Sequence, residues 1–246
     1  MKNVNLGQIF TRRLVADYMV SLFTLDSDSL VLDPCFGEGV FIDSIRQNTD
    51  FSINGYEIDK SLFLEYKEIG ERIGLYNSDY LLNKSSIKYD GIIMNPPYIR
   101  HEKIDDLEHL GITKRFLQKE DIFRNLPKTA NLYMYFIVKA ISQLKDNGEL
   151  IVIFPANWLT TKSGVKFKNF LEEECSIIKR IHVGGRAFEK DALVDVVVLK
   201  LIKGAGQPAC EPEFINVVDN ALVKGELSPY SATTGFNASF SSYAYL

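Results

Sequence analysis

Seven short apolar runs punctuate the chain: "SLVLDP", "FSINGYEID", "IGLYNSD", "YDGIIMNPP", "ELIVIFP", "SIIKRIHV" and "LVDVVVLKLI". Most are nearly continuous in Ile, Val and Leu, the pattern of strands buried on both faces. Between them, helical spacing predicts helices over 40–47, 61–72, 132–144 and 164–171. Asp59 suits the N-cap of the second, and Gly148 a C-terminal stop after "KAISQLKDN". Strand and helix in alternation predict a doubly wound α/β fold with a mostly parallel sheet of about seven strands. Ligands of such sheets sit beyond the carboxyl ends of the strands.

The residues directly after the strands are therefore the first candidates for chemistry. Strand one runs into Asp33-Pro-Cys-Phe-Gly-Glu-Gly-Val-Phe41, where Gly37 and Gly39 allow a ligand close to the backbone. A third glycine at the dinucleotide spacing is missing, which favours a smaller adenosyl ligand over NAD. Strand two ends at "GYEID", placing Glu57 eighteen residues after Gly39, where a carboxylate can accept both hydroxyls of a ribose. Strand three ends at "NSDY", offering Asp79 to an exocyclic amino group. Asp33, Glu57 and Asp79 thus close three successive strands.

The fourth strand stops at Asn95-Pro96-Pro97-Tyr98. Two prolines stiffen the turn and withhold their N–H groups, so the Asn95 amide oxygen and the Pro96 carbonyl can present two acceptors. Two acceptors match a planar amino group with two hydrogens to give, and Tyr98 can stack on the ring that carries it.

Composition narrows the setting. At 246 residues, with 46% hydrophobic and 24% charged residues, the chain can bury one substantial core. No apolar run approaches the roughly 18 residues of a membrane span, and "MKNVNLGQIFTRR" lacks the apolar core of a signal peptide. The cytoplasm is the expected location, with no membrane partner. Cys35, Cys175 and Cys210 show neither a metal-ligand spacing nor a disulfide frame, so reduced thiols and no metal are expected. The net charge of -4 argues weakly against a broad nucleic-acid-gripping face. Two basic clusters stand against it: Lys114, Arg115, Lys119, Arg124 and Lys128, then Lys162, Lys166, Lys168, Lys179, Arg180, Arg186 and Lys190. From Gly204 onward, Gly, Pro and Ser punctuation replaces periodicity.

The order of these motifs resembles S-adenosylmethionine-dependent DNA adenine-N6 methyltransferases, and most of all the methyltransferase regions of type II restriction-modification enzymes. The resemblance covers Leu6 to Lys203. It implies a class I methyltransferase, Rossmann-like sheet with its last strand antiparallel, and a catalytic domain over 1–203. Residues 204–246 would be a linker or the truncated start of a target-recognition region. For the cofactor it implies Thr11 from "GQIFTRR", with Arg12 where the family usually has Pro. It further implies Asp33, Cys35, Gly37 and Gly39 of the glycine turn, Glu57 for the ribose and Ile58 for packing on the adenine. Asp79 with Tyr80 follow for the adenine amino group, and Phe136 of "NLYMYF" as an aromatic wall. Asn95, Pro96, Pro97 and Tyr98 become catalytic, and Phe188 of "GRAFEKD" a second stacking ring for the target base. DNA is the implied substrate, with sequence selection from another domain or subunit. Rival readings are a glutamine-N5 methyltransferase acting on a release factor, an RNA methyltransferase using the same Asn-Pro-Pro-Tyr chemistry, and a cofactor-binding fragment inactive without a recognition subunit.

Overall fold

The computed structural model describes residues 6–66, 70–156, 158, 161–185, 187–188, 195–204, 212–218 and 221–225. All seven apolar runs are strands: β1 (Leu30–Asp33), β2 (Ser52–Glu57), β3 (Ile73–Asn77), β4 (Tyr89–Met94), β5 (Leu144–Pro155), β6 (Cys175–Gly185) and β7 (Val196–Lys203). β7 runs antiparallel between β5 and β6, and the pairs among β1 to β5 are parallel. Two further strands, β8 (Pro212–Val218) and β9 (Ala221–Lys224), continue the sheet past β6. The order is β3-β2-β1-β4-β5-β7-β6-β8-β9. Among the described residues the sheet therefore has nine strands where about seven were expected. The described part of the stretch read as a linker pairs with the catalytic sheet, and residues 226–246 lie outside the described residues.

Alternate residues of each central strand enter different cores, which explains the unbroken apolar runs. Leu32, Ile92, Met94, Leu150, Val152 and Phe154 face one side. Val31, Ile93, Ile151 and Ile153 face the other. The first core is covered by α5 (Leu132–Gln143), α6 (Lys162–Glu174) and the segment between β4 and α5. The second is covered by α1 (Arg13–Ser21) and α2 (Val40–Asn48).

Local signals are mostly obeyed. Asp59 accepts a hydrogen bond from the Ser61 N–H at 2.8 Å at the start of α3 (Lys60–Tyr66). Gly148 does not stop α5, which already ends at Gln143 with Leu144 extended. Lys145 to Asn147 bulge outward instead, with Asn147 at φ 62°, and β5 resumes pairing at Glu149. Among the described residues no helix is long and apolar enough to cross a membrane, and no group of side chains could hold a metal ion.

Several of the basic residues are structural. Arg180 and Lys168 are buried, Lys179 pairs with Glu213 at 2.7 Å, and Lys114 with Asp105 at 3.2 Å. Arg186 and Lys190, the side chain of Lys162, and Cys210 lie outside the described residues.

Candidate active site

Because β1 to β4 are parallel, their last residues arrive at one edge of the sheet. The chain winds from β1 through β2 to β3, then returns to place β4 on the other side of β1, which opens a crevice at that switch point. A cleft of about 880 Å³, open mouth included, occupies it. Of the residues proposed from the sequence, Thr11, Cys35, Gly37, Glu57, Ile58, Asp79, Tyr80, Asn95, Pro97 and Phe136 line it. Asp33, Gly39, Pro96, Tyr98 and Phe188 are not in its wall.

The glycine turn is shaped for the cleft. Gly39 caps α2 at φ 81°, a backbone conformation that favours glycine, and a Cβ there would push against the Tyr66 ring. Glu57 braces the same turn. One carboxylate oxygen accepts the Gly37 N–H at 2.9 Å and the other the Asp59 N–H at 2.7 Å. Burial raises its pKa while these N–H donors oppose the rise. Each oxygen keeps a lone pair for a further donor. Glu57→Ala strips both backbone donors of their partner and removes the acceptors. If Glu57 accepts a ribose, as the resemblance implies, the substitution is expected to weaken the affinity for S-adenosylmethionine by about tenfold or more, measured by calorimetry; unchanged affinity would remove Glu57 from the site.

Asp33 is fully buried at the end of β1. One oxygen accepts the Cys35 N–H at 3.1 Å, while the other has no hydrogen-bond partner. Desolvation, with Glu57 adding repulsion, pushes its pKa up to about 8. Asp79 is also raised by burial, opposed by the Leu82 N–H it accepts at 2.8 Å and by Lys139.

Asn95 is the most constrained group. Its Nδ2 donates to the Ile9 carbonyl at 2.6 Å and to Thr11 Oγ1 at 3.0 Å. A carbonyl can only accept, so the amide nitrogen must face Ile9, and the orientation of the side chain is settled by that contact. Its Oδ1 is buried and has no partner. The N-terminal segment is itself tied down, with the Tyr98 N–H donating to the Gly7 carbonyl at 3.1 Å. Gly7 sits at φ 66°, and a Cβ there would strike Ile99 at 2.7 Å.

Arg12, where the resemblance led to expect Pro, has φ -67° and ψ 145°, the φ that a proline ring imposes. Its N–H donates to the Ala187 carbonyl at 3.2 Å, a bond proline could not make. The backbone path is kept by a hydrogen bond instead of a ring.

The two proposed stacking rings lie against each other. Phe188 is 3% exposed, forms an isolated bridge with Thr11 and meets the half-buried Tyr98 edge-on at 6.1 Å. Tyr98 also donates to the Ile153 carbonyl at 3.4 Å. Phe188 is a core residue in this arrangement, so stacking on a base would require it to move.

Other cleft residues left no mark in the sequence pattern. Ile9 acts through its carbonyl, which any residue possesses. Phe10 lies over Gly37, and Leu107, Leu110 and Ile112 come from a 3-10 helix (His101–Leu110) and the turn after it, which lack a 3.6-residue period.

Residues 32–188 match the sequence profile of the Eco57I restriction-modification methylase. The chain belongs to this family. The chain is 33% identical over 226 residues to the type II methyltransferase M.HincII of Haemophilus influenzae, covering 92% of this chain and 42% of that protein. It is 28% identical over 237 residues to M.PstI of Providencia stuartii, covering 82% and 44%. The chain thus spans less than half the length of these relatives. Among solved structures, it superposes on the methyltransferase subunit of a type I restriction-modification system from Streptococcus thermophilus with a TM-score of 0.63 at 17% identity, covering 98% of this chain and 55% of that one. A Listeria monocytogenes protein described as a class I S-adenosylmethionine-dependent methyltransferase gives 0.69 at 14% identity, covering 99% and 73%. The family member described here has the class I methyltransferase fold.

Proposed function

We propose that this chain is the catalytic part of a DNA methyltransferase of a restriction-modification system, acting on the N6 amino group of an adenine flipped out of the duplex. The observation that carries this reading is the Asn95 amide oxygen, buried and without a partner while its nitrogen is anchored by Ile9 and Thr11. An immobilised acceptor of this kind is suited to an N–H donor and offers nothing to a hydroxylate or a phosphate.

The remainder of the cleft fits S-adenosylmethionine. Its wall contains Glu38, Glu57 and Asp79 and, among the described residues, no Lys or Arg, which favours a cation bearing hydroxyl and amino donors over a phosphorylated cofactor. Glu57 would accept ribose hydroxyls, Asp79 the adenine amino group, and Ile58, Tyr80 and Phe136 would enclose the purine, with Thr11 and the glycine turn toward the methionine end. When bound, S-adenosylmethionine supplies an electrophilic methyl group on its sulfonium. Asn95, with the Pro96 carbonyl, would accept the two hydrogens of the target amino group, draw its lone pair out of conjugation and aim it. Catalysis is then positioning and electrostatics. Flipping the base costs a few kcal/mol, offset in part by stacking on Tyr98. Base-edge contacts would come from a separate recognition domain or subunit, and the exposed Arg115, Lys119, Arg124 and Lys128 could add phosphate contacts.

Methyl transfer from labelled S-adenosylmethionine to long duplex DNA of mixed sequence, to RNA and to a release factor, with protein in excess, tests this assignment. Label is expected in DNA and recovered as N6-methyladenine. Label in RNA or protein and none in DNA would overturn the assignment.

A further inference from the structure

We propose that Lys139 is a positioning residue for the cofactor nucleobase, folding the loop after β3 so that Asp79 is held as the acceptor for an exocyclic amino group. The inference deepens the assignment above and rests on it.

Helix α5 is buried almost all round, yet it carries Lys139 and Gln143 at 6% and 7% exposure. A buried ammonium is tolerated only when its charge and its three hydrogens find partners. Lys139 Nζ donates to the carbonyls of Tyr80 at 2.6 Å, Leu81 at 3.0 Å and Asn83, and lies 4.9 Å from the centre of the Tyr80 ring. All three carbonyls belong to one loop, so the lysine is the point around which that loop is wrapped.

One turn along α5, Gln143 accepts the Tyr80 hydroxyl at 2.7 Å and donates to the Ser85 carbonyl at 3.1 Å. One turn the other way, Phe136 packs on Tyr80 with ring centres 5.6 Å apart. Positions 136, 139 and 143 form one stripe, and the stripe grips the segment that begins with Asp79. Asp79 in turn accepts the Leu82 N–H, a donor inside the same loop, so the carboxylate is aimed by the loop that the lysine shapes.

Charge adds to geometry. The Lys139 cation opposes the burial that raises Asp79, and Asp79 opposes the burial that lowers Lys139 to about 8, with Lys84 lowering and Glu120 raising the latter further out. A neutral side chain would leave a buried carboxylate inclined to hold its proton. A protonated Asp79 has less capacity to accept.

The test compares S-adenosylhomocysteine with its deaminated counterpart, in which hypoxanthine replaces adenine, by calorimetry at pH 7. Wild type is expected to prefer the amino-bearing ligand by about tenfold or more. Lys139→Gln removes the charge and leaves two shorter-reaching hydrogens for three loop carbonyls, so both supports of Asp79 weaken; its preference should fall toward unity through loss of adenosyl affinity. Lys139→Arg, which keeps the charge, should retain most of the preference. Lys139→Gln with equal losses for both ligands, or with the wild-type preference, would overturn the proposal, as would a Lys139→Arg protein that loses the preference altogether. Asp79→Asn separates the two levels. If it leaves the wild-type preference intact, the assignment of Asp79 itself fails; if it abolishes the preference while Lys139→Gln does not, only the role of Lys139 fails.

Discussion

Asn95→Ala is expected to lower the rate of methyl transfer by about 10²- to 10³-fold while leaving the affinity for S-adenosylmethionine close to that of wild type. The size follows from the kind of interaction removed. A preorganised polar group aimed at a developing charge acts in the transition state, at a position where water cannot replace it at once. Here the group is the Asn95 Oδ1, with no protein partner in the ground state because Nδ2 is already committed to Ile9 and Thr11. The carboxylates assigned to the cofactor lie on β1 to β3, one or more strands away from Asn95, and should be little disturbed. Thr11→Val provides a comparison, since it removes one anchor of the amide and keeps the acceptor; Thr11 is also assigned to the methionine end of the cofactor, so some affinity should be lost, and at saturating cofactor a smaller loss of rate than for Asn95→Ala is expected. Single-turnover rates together with calorimetric affinity check both. A rate for Asn95→Ala within threefold of wild type, or a loss confined to cofactor affinity, would take Asn95 out of the reaction.

Why Asn95 and Thr11 could be picked from sequence while the Ile9 carbonyl could not is a matter of which physics leaves a trace in residue type. β1 to β7 were legible because burial on both faces demands unbroken apolar runs, and Asp33, Glu57, Asp79 and Asn95 because polar residues at the ends of such runs are otherwise costly. β8 and β9 were not legible. Pro212 opens the first, in which only Ile215 and Val217 reach the core while Asn216 and Val218 face out, too short an alternation to stand out, and β9 at the edge leaves Val223 half exposed. Lys139 stands in the apolar string "YFIVKAI" with nothing in the sequence to give it a role, and only the tertiary placement of three carbonyls shows what it does. Gly148 failed as a helix stop because the chain ends α5 earlier and uses Asn147 in the left-handed region for the bulge that follows. Phe188 shows the converse ambiguity: an aromatic in a recognisable string is still an apolar side chain, and here it is buried against Tyr98.

Asp33→Asn is expected to have opposite effects on stability and on binding, and the pH dependence of each identifies the cause. In the protein without ligand, burial holds the Asp33 carboxyl at about 8, against 3.8 for the free side chain. Below pH 4 the group is protonated in both folded and unfolded chains, and its contribution is fully present. As pH rises from about 4 to about 8, the unfolded chain ionises freely while the folded chain must keep the proton or bury a charge, so this stability is progressively lost. Asparagine has the same shape and no proton to lose. The variant should therefore be more stable than wild type at pH 8, on the order of several kcal/mol, with the difference shrinking toward pH 5. Urea unfolding at both pH values measures it. Binding should move the other way. Under the proposed assignment a cationic cofactor favours the ionised carboxylate, so wild type should release about one proton on binding at pH 7 and gain affinity as pH approaches 8. Asp33→Asn should bind more weakly, with no such pH dependence and no proton release. Calorimetry in buffers of different ionisation enthalpy counts the proton. If wild type releases none, Asp33 acts only through the Cys35 N–H it accepts, as an anchor of the glycine turn whose buried, unpartnered oxygen carries a cost in stability that the cofactor does not recover.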